Sequence, residues 1–173
     1  FKKVNGDYIG FVDADGSTSP SAFYDLFLKI NGYDGIVASR WIKGAVVSPK
    51  QPFVRRFASR VFNIFVKLLF GIDLRDTQCG AKLFTKKAVK DVGDKIGITQ
   101  WAFDIDLLYQ LKRLGYKTIE IPTTWSDDPN SRLDVKKASM EMFLAVTRLR
   151  LVYSPFKFVV RIYDWIMIYV FRK

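Results

Sequence analysis

Apolar and polar positions along this chain follow two periods, and the change from one to the other divides it into elements. Asp7 to Val12 (D-Y-I-G-F-V) reads as a buried strand, and D-A-D-G-S-T-S-P at 13–20 as the polar turn after it. Ser19 and Pro20 then stand as N-cap and first residue of a helix, with Phe23, Leu26, Phe27 and Ile30 at helical spacing and Gly32 at its end. Gly35 to Arg40 (G-I-V-A-S-R) predicts a second strand that closes on a cation, and residues 43–52 a loop. Phe53 to Phe70 predicts a long helix, apolar on most sides and capped by Gly71. A polar turn and a short strand through Lys82 to Phe84 come next, followed by a helix over 86–92 capped by Thr85. The spacing predicts a further helix over 103–114 with Gly115 just beyond it, a strand at Thr118 to Pro122, a polar loop, and a helix over 134–151. Strands alternating with helices define an α/β class.

The tail, Phe156 to Phe171, is aromatic and aliphatic except for Lys157, Arg161 and Asp164, which share one face. A spanning helix needs roughly 20 apolar residues, so this segment reads as a helix lying in the membrane interface. Residues 1–133 are therefore expected to belong to a catalytic domain and 134–173 to amphipathic, membrane-interface helices.

Composition narrows the chemistry. The chain has 173 residues, enough for one domain, and a formal net charge of +11, which calls for an anionic partner. It has no histidine and one cysteine, so Ser-His-Asp triads, His-ligated metals, a disulfide framework and a Cys-based zinc site are all excluded. Carboxylates, cations, hydroxyls and a hard metal remain. The cations lie along apolar helices and are not interleaved with aromatics on a polar face, which argues against nucleic acid as the partner.

Three groups of residues could carry that chemistry, each with a plainer alternative. Asp13 and Asp15 follow a strand, where positions two apart share a face; as a pair they offer hard oxygen ligands for Mg²⁺ or Mn²⁺, or else form a solvated turn. Arg55, Arg56, Ser59 and Arg60 put guanidiniums and a hydroxyl one turn apart, which suits a phosphate; Arg56, Arg60, Asn63 and Lys67 continue as a single stripe. The alternatives there are an ordinary solvated face, or a membrane-surface helix with arginines beneath lipid phosphates. Asp104 and Asp106 open a helix, either as carboxylates in a cleft or as partners of the helix dipole. Cys79, with no histidine to activate it, reads as a packing residue.

Several segments together resemble the family-2 glycosyltransferases that charge a polyprenyl phosphate, the dolichyl-phosphate sugar synthases. They are V-D-A-D-G at 12–16, S-R-W-I-K-G at 39–44, V-R-R-F-A-S-R-V-F-N at 54–63, R-D-T-Q-C-G-A-K-L-F-T at 75–85, W-A-F-D-I-D-L-L-Y at 101–109 and G-Y-K-T-I-E-I-P-T-T-W at 115–125. The fourth and fifth are most similar to the dolichyl-phosphate β-glucosyltransferase branch. Gly16 and Ser17 stand where mannosyl members carry a Leu-Gln pair.

The resemblance implies a GT-A fold, a Rossmann-like α/β domain, and transfer of a sugar with inversion from a UDP-glucose or GDP-mannose type donor to a polyprenyl phosphate. It implies that Asp13 and Asp15 hold a divalent metal, Mg²⁺ or Mn²⁺, on the donor diphosphate, and that Arg40, Arg55 and Ser59, with Arg56 and Arg60 nearby, meet the acceptor phosphate. It places Asp104, with Asp106 beside it, where inverting relatives keep a general base, and Ser131 and Arg132 in a loop that closes over the donor. A lipid monophosphate has a second pKa near ~6 and is already largely a dianion at neutral pH, so Asp104 is as readily an orienting group as a base. The expected partners are a nucleotide sugar, a polyprenyl phosphate and the cytoplasmic face of a cell or endoplasmic-reticulum membrane. A sibling sugar or lipid, or a non-enzymatic basic membrane-binding module, are the alternatives. Members of the family begin with an apolar strand and a V-I-P-A-Y-N-E type loop that holds the nucleoside. None precedes Phe1, so the chain is expected to be an N-terminally truncated, inactive fragment.

Overall fold

The computed structural model describes residues 4–49, 51–97, 100–126 and 135–171. In chain order these form β1 (Tyr8–Val12), α1 (Pro20–Lys29), β2 (Gly35–Ser39), β3 (Val46–Val47), α2 (Phe53–Phe70), β4 (Ala81–Thr85), α3 (Lys86–Gly93), α4 (Phe103–Arg113), β5 (Thr118–Pro122), β6 (Thr124–Trp125), α5 (Val135–Val152) and α6 (Val160–Phe171). Short 3-10 turns precede α4 and α6. Local chemistry sets several of the boundaries. The Ser19 hydroxyl accepts a bond from Ala22 N at 3.2 Å, Thr85 Oγ1 accepts one from Ala88 N at 3.3 Å, and Gly71 closes α2 in the left-handed conformation at φ 63°.

Four strands form a mixed sheet in the order β1-β4-β2-β5. β4 runs antiparallel to both its neighbours, and β2 and β5 run parallel. Side chains alternate through the sheet into two cores. Ile36, Ala38, Ala81 and Leu83 face α1 and meet its Leu26 and, at its C-cap, Ile30. Ile9, Val37 and Phe84 face the other way, into a larger core built from α2, α3, α4 and α5. This is an α/β layer arrangement with helices on both faces of the sheet.

Two expectations change. The stretch 43–52 is not all loop, because Val46 and Val47 pair in parallel with Thr124 and Trp125 in a second, two-stranded sheet. Two-residue strands leave no periodicity for a sequence reading to detect. The division at residue 133 does not describe how the core is built. Val146 and Leu149 of α5 are fully buried in the larger core, and Phe143 packs edge-on against Phe62 of α2 with ring centroids 5.5 Å apart. α6 is tied to α5 through a bidentate pair between Arg148 and Asp164 and a 2.8 Å bond from the Tyr163 hydroxyl to the Leu144 carbonyl. No helix among the described residues is long and apolar enough to cross a membrane.

Candidate active site

A cleft of about 360 Å³ opens where β1, β2 and β4 give way to the loops beyond them. Asp13 and Asp15 line it, as do Arg40, Arg55, Ser59, Gln78, Gly80, Trp101 and Trp125, and α5 closes one side with Ser139, Met142 and Phe143.

Asp13 and Asp15 reach the cleft by a different route from strand alternation. β1 ends at Val12, paired with Ala81, and the chain then turns. Asp13 N donates to the Gly80 carbonyl at 2.9 Å, which carries the β1–β4 pairing one residue further. The Asp15 carboxylate accepts from Ser17 N at 2.9 Å, fixing the turn that brings it to the same cleft. Gly80 permits this approach, because a Cβ there would lie 2.0 Å from Asp13 Oδ2. The other end of the turn is anchored to β6, through a bridge between Thr18 and Trp125 and a 2.8 Å bond from Ser126 N to the Ser17 carbonyl.

The Asp13 carboxyl is held above the usual carboxylate range. Crowding by neighbouring atoms is the largest cause and the Asp104 charge the next; Asp15 adds to them, while Lys82 and Arg40 pull the other way without prevailing. Two hard oxygen donors in a zone of excess negative charge suit a divalent cation. Among the described residues no group of three or more metal-ligating side chains converges. A metal here would therefore complete its shell from phosphate oxygens and water, as Mg²⁺ commonly does.

The opposite wall is cationic. Arg40, at the end of β2, forms a bidentate pair with the fully buried Asp76, Nε to Oδ2 at 2.8 Å and Nη2 to Oδ1 at 2.9 Å, and its backbone N–H adds a third bond at 2.9 Å. Burial alone would push the Asp76 carboxyl up, but the charge and hydrogen bonds of Arg40 hold it below the usual range. The guanidinium lies 5.4 Å from the Trp41 ring centroid and 5.3 Å from that of Trp125. Arg40 is thus held rigidly, with much of its charge already matched.

α2 divides the expected cationic stripe. Arg55 and Ser59 fall on the same side of the helix as the buried Phe62 and Val66 and line the cleft. Arg56 and Arg60 fall about a third of a turn away and line a separate groove with Trp41. Asn63, placed by spacing in the same stripe, turns inward; its Oδ1 accepts from Thr77 N and Thr77 Oγ1, each at 2.9 Å. The grouping of Arg56 and Arg60 with Arg55 and Ser59 around one phosphate is corrected accordingly, since neighbours in sequence on a helix point about 100° apart.

Asp104 and Asp106 also separate. Asp104 lies near Asp13 and pairs with Lys82, whose Nζ sits 2.9 Å from Asp104 Oδ1. Lys82 is fully buried in β4 and also donates to the Cys79 carbonyl at 2.6 Å. Asp106 is fully buried on the far side of α4. Its carboxylate accepts from Gly97 N at 3.0 Å and from the Tyr153 hydroxyl at 2.6 Å. Neither aspartate lines the cleft itself, but Asp104 is near enough to Asp13 for its charge to act on it, whereas Asp106 is a structural acceptor joining α4 to the end of α5, which corrects its expected catalytic placement. Ser131 and Arg132 lie outside the described residues.

Asp76, Lys82, Gly80 and Gln78 were not singled out individually by sequence reasoning. The signal for Lys82 was its place inside an otherwise apolar strand, where an unpaired charge is costly; Asp76, in the polar turn before β4, carried no such signal. Gln78 lines the cleft with its amide nitrogen buried and without a partner among the described residues. Burial pushes the Cys79 thiol up to about 11, consistent with a packing role.

The fold is that of a GT-A domain. The glycosyl transferase family 2 profile matches residues 1–93, and the chain belongs to that family. It is 34% identical over 155 residues to a dolichyl-phosphate beta-glucosyltransferase of Dictyostelium discoideum, a match covering 86% of this chain and 47% of that protein. It is 28% identical over 170 residues to the enzyme of the same name from Saccharomyces cerevisiae, covering 88% and 50%. Glycosyltransferase AglD of Haloferax volcanii is 28% identical over 150 residues, covering 86% and 24%. The chain spans about half the length, or less, of these relatives.

Proposed function

We propose that this chain forms the metal- and acceptor-facing part of an enzyme that transfers a sugar, glucose in the leading reading, from a nucleotide sugar to a polyprenyl phosphate. The observation that carries the reading is one cleft with an acidic pair, Asp13 and Asp15, on one wall and Arg40, Arg55 and Ser59 on another. The names of the relatives supply the sugar and the dolichyl phosphate.

Arg55 and Ser59, backed by the rigid Arg40, hold the acceptor phosphate with one oxygen toward C1 of the sugar. That oxygen forms the new bond to C1 from the face opposite the donor diphosphate; the bond from C1 to the diphosphate breaks, and its electron pair leaves with the diphosphate. Asp13 and Asp15 would hold a divalent cation, Mg²⁺ or Mn²⁺, which supplies charge neutralisation to the leaving diphosphate. Asp104, locked by Lys82, orients the acceptor or the sugar, because a phosphate dianion needs no base. Ser131 and Arg132 belong to the donor-closing loop in the same reading.

In this reading the lipid acceptor puts the enzyme at a membrane surface, and we take that surface to be the cytoplasmic face. Phe53, Phe57, Ile64 and Leu68 form an exposed apolar stripe along α2, between 60% and 79% exposed. A stripe of this kind suits a helix resting in the headgroup boundary, with the acceptor phosphate reaching the cleft beside it.

The test uses the intact protein that carries this chain, with UDP-glucose or GDP-mannose, a polyprenyl phosphate, and Mn²⁺ or Mg²⁺. Label from UDP-glucose is expected in the lipid fraction, and chelation abolishes it. Failure of every sugar nucleotide overturns the reading.

A further inference from the structure

Beyond the reacting cleft, the structure assigns a second anion site: we propose that the groove between Trp41 and α2 binds a phosphoryl group that takes no part in the transfer. Among the described residues this groove, about 310 Å³, shares Arg40 and Gln51 with the cleft and is otherwise lined by Trp41, Arg56, Arg60 and the aliphatic Ile42, Ala45 and Val47. No acidic side chain among the described residues lines it. Arg40 is matched by Asp76, so the free positive charge of the groove comes from Arg56 and Arg60, the latter stacked 4.8 Å from the Trp41 ring centroid.

Donors outnumber acceptors in the groove, where the Gln51 amide oxygen is the one unpaired buried side-chain acceptor among the described residues. Among the described residues Trp41 Nε1 is buried without a partner, and Gln51, only 5% exposed, leaves its amide nitrogen and amide oxygen unpaired. Indole N–H, amide NH₂ and two guanidiniums are all donors, and their shared need is one compact group with several acceptor oxygens and negative charge. A phosphoryl group meets that need; a carboxylate offers fewer oxygens for the same donors.

The position of the groove favours a lipid headgroup as the source. Arg56 and Arg60 lie along the border of the exposed stripe of Phe53, Phe57, Ile64 and Leu68. Cations at such a border reach lipid phosphates while their stems cover apolar surface. The lipid source rests on the membrane reading above; the phosphoryl chemistry of the groove does not.

The experiment measures binding, so its failure is distinguishable from failure of the transferase reading. In one arm, the intact protein is sedimented with phosphatidylcholine vesicles, plain or doped with phosphatidic acid. Two cations at a membrane surface predict a loss of about 30-fold in affinity for the doped vesicles in Arg56→Gln/Arg60→Gln. Lys90→Gln/Lys117→Gln, the same charge change elsewhere, should keep nearly full affinity. Arg56→Lys/Arg60→Lys, which keeps the charge but not the planar fork, should recover it only in part. In the other arm, glycerol phosphate is titrated while tryptophan fluorescence is followed, with Trp41→Phe as the control. Loss in the first arm alone identifies a lipid headgroup. A saturable signal that vanishes in Trp41→Phe identifies a free phosphate as a sufficient ligand. The proposal is overturned if the Arg→Gln pair binds doped vesicles like the Lys→Gln pair, or the Arg→Lys pair recovers full affinity, while glycerol phosphate gives no Trp41-dependent signal.

Discussion

The chain contains two Asp-x-Asp pairs, Asp13/Asp15 and Asp104/Asp106, and the fold treats them oppositely. The first pair follows a strand and enters a turn, and both carboxylates line one cleft. The second opens α4, where two residues subtend about 200°, so Asp104 points toward Asp13 and Asp106 into the protein. Identical spacing therefore puts two carboxylates on one cleft in the first case, and gives one carboxylate beside that pair plus one structural acceptor in the second. The backbone period around a motif, together with its letters, decides what the motif does.

The largest expected effect comes from breaking the first pair. Asp15→Ala should lower kcat by about 10²–10³-fold, the range seen when a preorganised electrostatic partner of the transition state is lost. Asp104→Asn should leave measurable turnover at saturating Mn²⁺. Equal losses in the two variants would show that Asp104 acts as a base and would remove the asymmetry between the pairs.

Gly80→Ala tests how the first pair is held. The new methyl must displace the Asp13 carboxylate, because no room exists for it at 2.0 Å. Metal affinity should fall by about 10–100-fold, read by titrating Mn²⁺ against activity, with far-UV circular dichroism unchanged.

Breaking the second pair should act on stability. Asp106→Asn weakens the bonds from Gly97 N and Tyr153 Oη inside the protein, at an expected cost of about 1–3 kcal/mol. The measurement is a denaturant midpoint. A loss of kcat in the folded variant, with no change in midpoint, would return Asp106 to the active site.

The smallest effect is a pH dependence. The Tyr153 hydroxyl is raised above its ordinary value, first by burial and then by its hydrogen bond to Asp106 and that carboxylate's charge. The folded state thus favours the neutral phenol. Its contribution to stability is present in full below the ordinary value of about 10 and fades as pH rises above it. Melting temperatures should fall more steeply above about pH 10 in the wild type than in Tyr153→Phe. Parallel curves would show that the Tyr153–Asp106 bond contributes nothing.

Much of this was legible in the sequence because it depends on short-range chemistry. Ser19, Thr85 and Gly71 announce helix boundaries because caps are satisfied within a few residues. The long helix at 53–70 and the four main strands follow from apolar patterning, although Lys82 and Glu120 interrupt two of the strands. The acidic pair and the motif order were enough to point to a glycosyltransferase. The β3–β6 pairing and the entry of α5 into the main core were not legible, because each depends on contacts between residues far apart in sequence.

The sequence by itself determined the class of chemistry: no histidine, one cysteine, carboxylates after a strand, and arginines on an apolar helix. Only the tertiary structure decided which of those groups share a cavity. It matched Arg40 to Asp76, placed Lys82 beneath Asp104, and turned Arg55 and Ser59 into the cleft while sending Arg56 and Arg60 to a groove of their own. The physical reason is that side-chain direction depends on helix phase and sheet register, and the environment it meets depends on elements that arrive from elsewhere in the chain.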